Sequence, residues 1–250
     1  MLLVADVHGA AGALRQIASR GETLLVLGDL INFIDYRTNE GIVADVAGRD
    51  FVADIVQLRT AGKADEARER WKSFASGNEA EVRARFDESV EQAYAEVCAA
   101  LQGCRAYVIH GNVDRPDVLK RHLPPEVFYI DGEVVTIGEL RVGFVGGGMP
   151  ALGIPGEIDE NEMAAKLDAI GDVDVLCTHV PPAVAPLSKD VIGGRQKGSG
   201  AIRDYLSSRR PGYHYFGDIH QPQATSWRYE ATRCVNVGYF RATGRAVRHA

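Results

Sequence analysis

Asp6 and His8 stand two residues apart near the start of the chain, so on an extended backbone both side chains point the same way. A carboxylate and an imidazole converging at a strand end are natural ligands for a divalent metal. Gly9 lets the backbone turn tightly beneath whatever they hold. Alone, such a pair reads better as a solvated loop entry. Four more polar clusters recur downstream: Gly28-Asp29, Gly111-Asn112-Val113-Asp114, Thr178-His179, and Gly217-Asp218-Ile219-His220.

Each cluster follows a short apolar run of the kind that forms a buried strand. Leu2–Val4, Thr23–Leu27, Ala106–Ile109, Val173–Cys177 and Tyr213–Phe216 deliver the five in turn. A helix over Ala10–Ser19, with Leu14 and Ile17 inward, separates the first two strands. The alternation places the chemistry at strand carboxyl ends, where α/β sheets build their sites. Further strands are predicted at Val127–Ile130, Glu133–Ile137, Leu140–Val145, Ala224–Trp227, Cys234–Val237 and Ala246–His249. Helices are predicted at Pro116–Lys120, Glu160–Ile170 and Ala201–Ser207, the last with Ser199 as its N-cap. Gly146-Gly147-Gly148 reads either as a place where backbone approaches a ligand or as a plain mobile loop.

Residues 37–103 break the alternation. Phe51, Ile55 and Leu58 share one helical face, as do Ala64, Ala67, Trp71 and Phe74. Asn78 can cap a long helix striped by Val82, Phe86, Val90, Tyr94, Val97 and Leu101. This is a helical insertion between two core strands, its aromatic residues serving packing. Its apolar stripes imply a cap over the site or a contact between subunits of a homo-oligomer. With no repeat or linker visible, residues 1–250 read as a single domain.

Composition narrows the function. A net charge of −6 argues against a nucleic-acid binder or a membrane-surface protein, since both need a basic face. No apolar run approaches the ~18 residues of a membrane span. Cys98, Cys104, Cys177 and Cys234 show no C-x-x-C pairing, which suggests neither a disulfide framework nor a zinc knot. A cleaved signal peptide would remove Asp6 and His8. A reduced, cytoplasmic protein is the expectation.

Taken together and in order, the five clusters resemble the calcineurin-like metallophosphoesterase superfamily, whose pattern is D-x-H, G-D, G-N-H-[D/E], H, G-H-x-H. The stretch from His179 to His220 further resembles its cyclic-nucleotide-phosphodiesterase-like branch. The resemblance implies a four-layer α/β/β/α sandwich with two mixed β-sheets. It implies Asp6, His8 and His220 on one metal, Asn112, His179 and Asp218 on a second, and Asp29 bridging the two. A hydroxide between the metals would then attack phosphorus. Asn112, Arg195 and Lys197 are the candidates for contacts with a phosphate, Arg195 and Lys197 reading equally as solvated loop residues, and Asp114 is the candidate for orienting its neighbours. Of the other histidines, His110 reads as a satisfied core residue, and His122, His214 and His249 as surface groups.

Two positions depart from the family pattern. Val113 stands where the family has the histidine thought to protonate the leaving group. Asp218 replaces a histidine and adds a negative charge. Two carboxylates, a hydroxide and two divalent ions sum to +1, whereas three carboxylates bring the same count to zero. That shift suggests a monoanionic phosphodiester or a trivalent metal, with Mn2+, Fe2+ or Fe3+ favoured by the oxygen-rich ligands. The expected function is therefore hydrolysis of small phosphodiesters or activated phosphomonoesters. The alternative is a catalytically weak or silent metal-binding scaffold on the same fold. A nuclease is disfavoured by the charge.

Overall fold

The computed structural model describes residues 1–151, 153–191 and 196–249. Its first half runs Leu2–Val4 (β1), Ala11–Ala18 (α1), Leu24–Leu27 (β2), Ile42–Ala47 (α2), Arg49–Thr60 (α3), Ala64–Ala75 (α4), Glu79–Ala99 (α5), Ala106–Ile109 (β3), Pro116–His122 (α6) and Val127–Tyr129 (β4). The second half runs Glu133–Ile137 (β5), Leu140–Val145 (β6), Glu160–Ile170 (α7), Val175–Thr178 (β7), Ala185–Ser188 (α8), Gly200–Arg209 (α9), Tyr213–Phe216 (β8), Ser226–Tyr229 (β9), Thr232–Asn236 (β10), Phe240–Thr243 (α10) and Val247–Arg248 (β11).

The strands form two mixed sheets, ordered β11-β1-β2-β3-β4 and β5-β6-β7-β8-β10-β9. In each, parallel strands occupy the middle and antiparallel pairing is confined to edges: β11 in the first sheet, β5 and β9 in the second. Alternation along the strands explains the layering. Leu2 and Val4 face a cluster shared with helices α1 and α5. Leu3 and Ala5 face the opposite way, onto Val142, Phe144, Val175, Cys177 and Tyr215 of the second sheet. The outer face of that sheet, through Val145, Leu176 and Phe216, packs on Met163, Leu167 and Ile202 of helices α7 and α9. Three apolar clusters thus separate four layers, α/β/β/α.

Helix α5 occupies the crossover between parallel strands β2 and β3. Its Val90, Tyr94 and Val97 join Leu2, Val4 and Leu14 in one cluster, so it belongs to the outer helical layer, with α2–α4 packed alongside. Ser199 caps α9 as predicted, accepting from Ile202 N–H. Glu160 of α7 strengthens that end by accepting from Ser199 Oγ, Gly200 N–H and Ala201 N–H. Asn78, by contrast, makes no side-chain cap at α5. All four cysteines are free and buried.

His214 corrects an expectation. The sequence reads it as a surface group, yet it is fully buried, because β8 is an inner strand covered on both faces. The Thr178 hydroxyl donates to Val180 O, so His214 Nε2 must donate to Thr178 Oγ1, at 2.8 Å. That leaves Nδ1 bare, without a protein partner. Burial pushes the pKa of this imidazole from 6.5 down to about 3. The unfolded chain therefore takes up the proton first. His214's contribution to stability is complete above about pH 6.5 and lost as pH falls toward 3, at about 1.4 kcal/mol per pH unit. Urea unfolding of wild type and His214→Leu, both in chelator, should show the gap between them narrowing by about 2 kcal/mol from pH 7 to pH 5. A constant gap would mean that His214 titrates within the fold as it does in the unfolded chain.

Candidate metal centre

The carboxyl ends of β1, β2 and β3 in one sheet meet those of β7 and β8 in the other. Short backbone bonds lock the loops together: Asp6 N–H donates to Gly28 O (3.1 Å), His8 N–H to Asp29 O (2.8 Å) and Gly217 N–H to His179 O (2.9 Å). Asp6, His8, Asp29 and Asp218 all have left-handed backbone, with φ of 58°, 42°, 53° and 64°. Four non-glycine residues held in that unfavourable region at one place mark a site whose surroundings dictate side-chain direction. Gly28 allows the approach of the strands, since a Cβ there would lie 2.5 Å from Gly111 N and 2.7 Å from His179 Nδ1.

Five of the expected ligands turn inward together. His8 Nε2 lies 3.2 Å from His220 Nε2 and 3.7 Å from Asp29 Oδ2. His179 Nε2 lies 3.4 Å from Asp29 Oδ1, and His220 Nε2 lies 3.8 Å from Asp6 Oδ1. Asp29 thus presents one oxygen to each side. Two donor groups result, Asp6–His8–His220 and Asp6–Asp29–His179, with donor atoms within 4.8 Å of one another in each. The imidazoles are aimed from behind: His179 Nδ1 pairs with Leu27 O at 2.8 Å, and His8 Nδ1 with Ile31 O at 3.3 Å. Such bonds fix the tautomer that leaves Nε2 as the ligand atom.

This donor set fits divalent metals. Asp6 Oδ2 is buried without a protein partner, and two imidazole nitrogens facing at 3.2 Å need a proton or cation between them. The electrostatics agree. Burial raises the Asp6 pKa to about 6. Burial would lower that of His179, but Asp29, Asp6 and Asp218 outweigh it and hold the imidazole up at about 9. Carboxylates that keep a proton on a buried histidine supply the field that draws a cation.

The other expected residues are placed differently. Asn112 Oδ1 sits 3.2 Å from His179 Nε2. Gly148 packs on Asn112, where a Cβ would come within 2.1 Å of the asparagine Cβ, so the glycine run is a packed support and not a mobile loop. Asp218 lies outside both donor groups, and its Oδ1 accepts from Lys197 Nζ at 2.9 Å. Burial would raise the Asp218 pKa, yet Lys197 and His179 hold it below the usual carboxylate value. Arg195 falls outside the described residues. Val113 donates its N–H to Asp29 Oδ1 at 3.1 Å and packs against the outer-layer cluster.

Asp114 is fully buried and accepts from Leu30 N–H (3.0 Å), Tyr94 OH (3.0 Å) and Gly111 N–H (2.8 Å). It therefore staples the β2 loop, the β3 loop and α5 together. His110 is buried against the Tyr129 hydroxyl at 2.7 Å, away from the donor groups. Two neighbours had no signal in the sequence. The Tyr239 ring stacks on His220 at 3.9 Å between centroids, and Arg241 donates to His8 O at 2.6 Å and to Asp35 at 3.0 Å.

The fold and its strand-end cluster define an α/β sandwich with a candidate binuclear metal centre. No family model matches the chain, and neither does any curated protein. Solved structures share the fold. One is 14% identical, covering 96% of this chain and 90% of its own, with a TM-score of 0.59. Another, TT1561 of Thermus thermophilus, is 11% identical, covering 98% and 96%, with a TM-score of 0.53. Among the described residues, no helix is long and apolar enough to cross a membrane.

Proposed function

We propose that this protein is a two-metal phosphoesterase of the calcineurin-like kind, acting in the cytoplasm on small phosphodiesters or activated phosphomonoesters. The observation that carries this reading is the convergence of Asp6, His8, Asp29, His179 and His220 at adjoining strand ends, Asp6, His8 and Asp29 on left-handed backbone. Mn2+ or iron suits the nitrogen and oxygen donors. When bound, such a pair supplies an activated water and neutralises phosphoryl oxygens. The chain's own residues would do the rest: Asp6, His8 and His220 would hold one ion and Asp6, Asp29 and His179 the other, with Asp29 also within reach of His8. Asn112 stands beside His179, where its amide can donate to a phosphoryl oxygen.

Lys197 balances the extra carboxylate without a trivalent metal. Its ammonium offsets Asp218, so a site with two divalent ions returns to the +1 of the family count. Lys197→Met should weaken inhibition by inorganic phosphate roughly tenfold while metal content holds. The double change Lys197→Met with Asp218→His should restore it. Loss of metal in Lys197→Met, or no rescue by the double change, would show that the pair has another role.

A second reading, a metal-binding scaffold with little catalysis, is favoured by one feature, the apolar Val113 in place of a proton donor. Elemental analysis of the purified protein and hydrolysis of bis(4-nitrophenyl) phosphate in added Mn2+ separate the two. Metal with turnover supports the esterase, metal without turnover supports the scaffold, and neither metal nor turnover sinks both.

A further inference from the structure

Beside the metal loops, helices α3–α5 and residues Ala151, Ile154 and Pro155 line a half-open cavity of about 710 Å³. That volume is within the usual range for small-molecule sites, about 300–1,000 Å³. Phe33, Trp71 and Phe86 line it with aromatic surface, and Val43 and Ile55 add aliphatic wall. Arg59, Arg68, Arg83 and Arg115 stand around them with Glu79 and Asp87, Arg68 paired with Asp65 and Arg115 with Asp87, each at 2.7 Å. The Arg115 guanidinium lies over the Phe86 ring at 5.0 Å, showing the surface that a flat anionic group would meet.

The cavity adjoins the proposed metal centre through the chain itself. Phe33 follows Asp29 by four residues, and Arg115 follows Asn112 by three. Gly156, next to Pro155, rests on the carbonyls of the β3 loop. A Cβ there would lie 2.3 Å from Gly111 O, 2.8 Å from Asn112 O and 2.7 Å from Asp114 O. The chain beside the cavity wall therefore packs on the metal loop.

We infer that this cavity is the binding site for an aromatic group carried by the anionic phosphoester substrate, the ester phosphate lying at the metal loops. This rests on the phosphoesterase reading and adds the substrate class to it. An apolar, ring-lined pocket selects a group that is flat and poorly hydrated, and the ester phosphate supplies the negative charge. The insertion helices thereby act as a specificity element. A small alkyl ester would leave the cavity to water and forgo that binding.

Two arms test this. The chain holds two tryptophans, so Trp227→Phe leaves Trp71, in the cavity, as sole reporter. 8-Anilinonaphthalene-1-sulfonate, an aryl anion, should quench Trp71 saturably. Ala75→Phe and Val82→Phe, which fill the cavity from α4 and α5, should each weaken that binding about tenfold with melting curves retained. No quenching, or equal affinity in both filled variants, overturns the proposal. In the second arm, hydrolysis of 1-naphthyl 4-nitrophenyl phosphate is compared with that of methyl 4-nitrophenyl phosphate. The leaving group is shared, so a kcat/KM preference for the naphthyl ester that collapses in the filled variants reports the cavity. Equal kcat/KM for the two esters overturns it. A protein that binds the dye at Trp71 but hydrolyses neither ester would refute the phosphoesterase reading instead, and with it the substrate assignment, while the aryl-anion site stands.

Discussion

Asp29→Ala should strip the bound metal pair and lower kcat/KM for bis(4-nitrophenyl) phosphate by at least about 10³-fold. Asp29 presents Oδ2 to His8 at 3.7 Å and Oδ1 to His179 at 3.4 Å, one oxygen to each donor group. Without that carboxylate, two cations held side by side would lose the shared anion that offsets their repulsion. The change also removes the acceptor for Val113 N–H. Asp29→Asn separates the effects, because it preserves size and can still accept that bond while removing the charge. Both variants should fold and melt cooperatively, with metal content measured by elemental analysis falling in each. Wild-type metal occupancy in Asp29→Ala would end the assignment of Asp29 as the bridging group.

The part of this centre that was legible in the sequence is the part encoded locally. Asp6, His8, Asp29, His179 and His220 each follow an apolar strand directly, and strand ends in α/β sheets converge. The short runs Leu2–Val4 and Tyr213–Phe216 mark strands, but a polar residue within such a run does not show whether its face is covered. That is why His214 reads as a surface group and is instead packed beneath a helix. The Lys197–Asp218 pair was hidden for another reason. It joins residues 21 apart through the fold, and a lysine in a glycine-rich loop carries no local sign of its partner. The cavity is hidden in the same way, since helical stripes predict which residues face inward but not how much space remains between them. Phe51, Trp71, Phe74 and Phe86 do pack on one another as the stripes imply, while Trp71 and Phe86 also border the open volume.

Hydrolysis by the wild-type protein should depend steeply on the leaving group. Val113 cannot donate a proton, and its side chain packs into the outer-layer cluster. A positioned general acid contributes on the order of 10²–10⁴ in rate, and its absence falls on the esters that need protonation most. Nitrophenyl esters should be fast and simple alkyl esters slower by that order, so log kcat plotted against leaving-group pKa should slope sharply downward. Placing a histidine there, Val113→His, tests whether the missing acid is the whole cause. Asp114 follows in sequence and invites the role of orienting the new imidazole, but the structure commits it elsewhere. Its two oxygens already serve Leu30 N–H, Tyr94 OH and Gly111 N–H. The new imidazole would have no such partner, so the gain for alkyl esters should stay below about tenfold, with nitrophenyl esters unchanged. A flat plot for the wild type, with chemistry rate-limiting, would instead place a working acid in the site. A large gain for alkyl esters in Val113→His would mean that the β3 loop can reorganise to orient the new ring without Asp114.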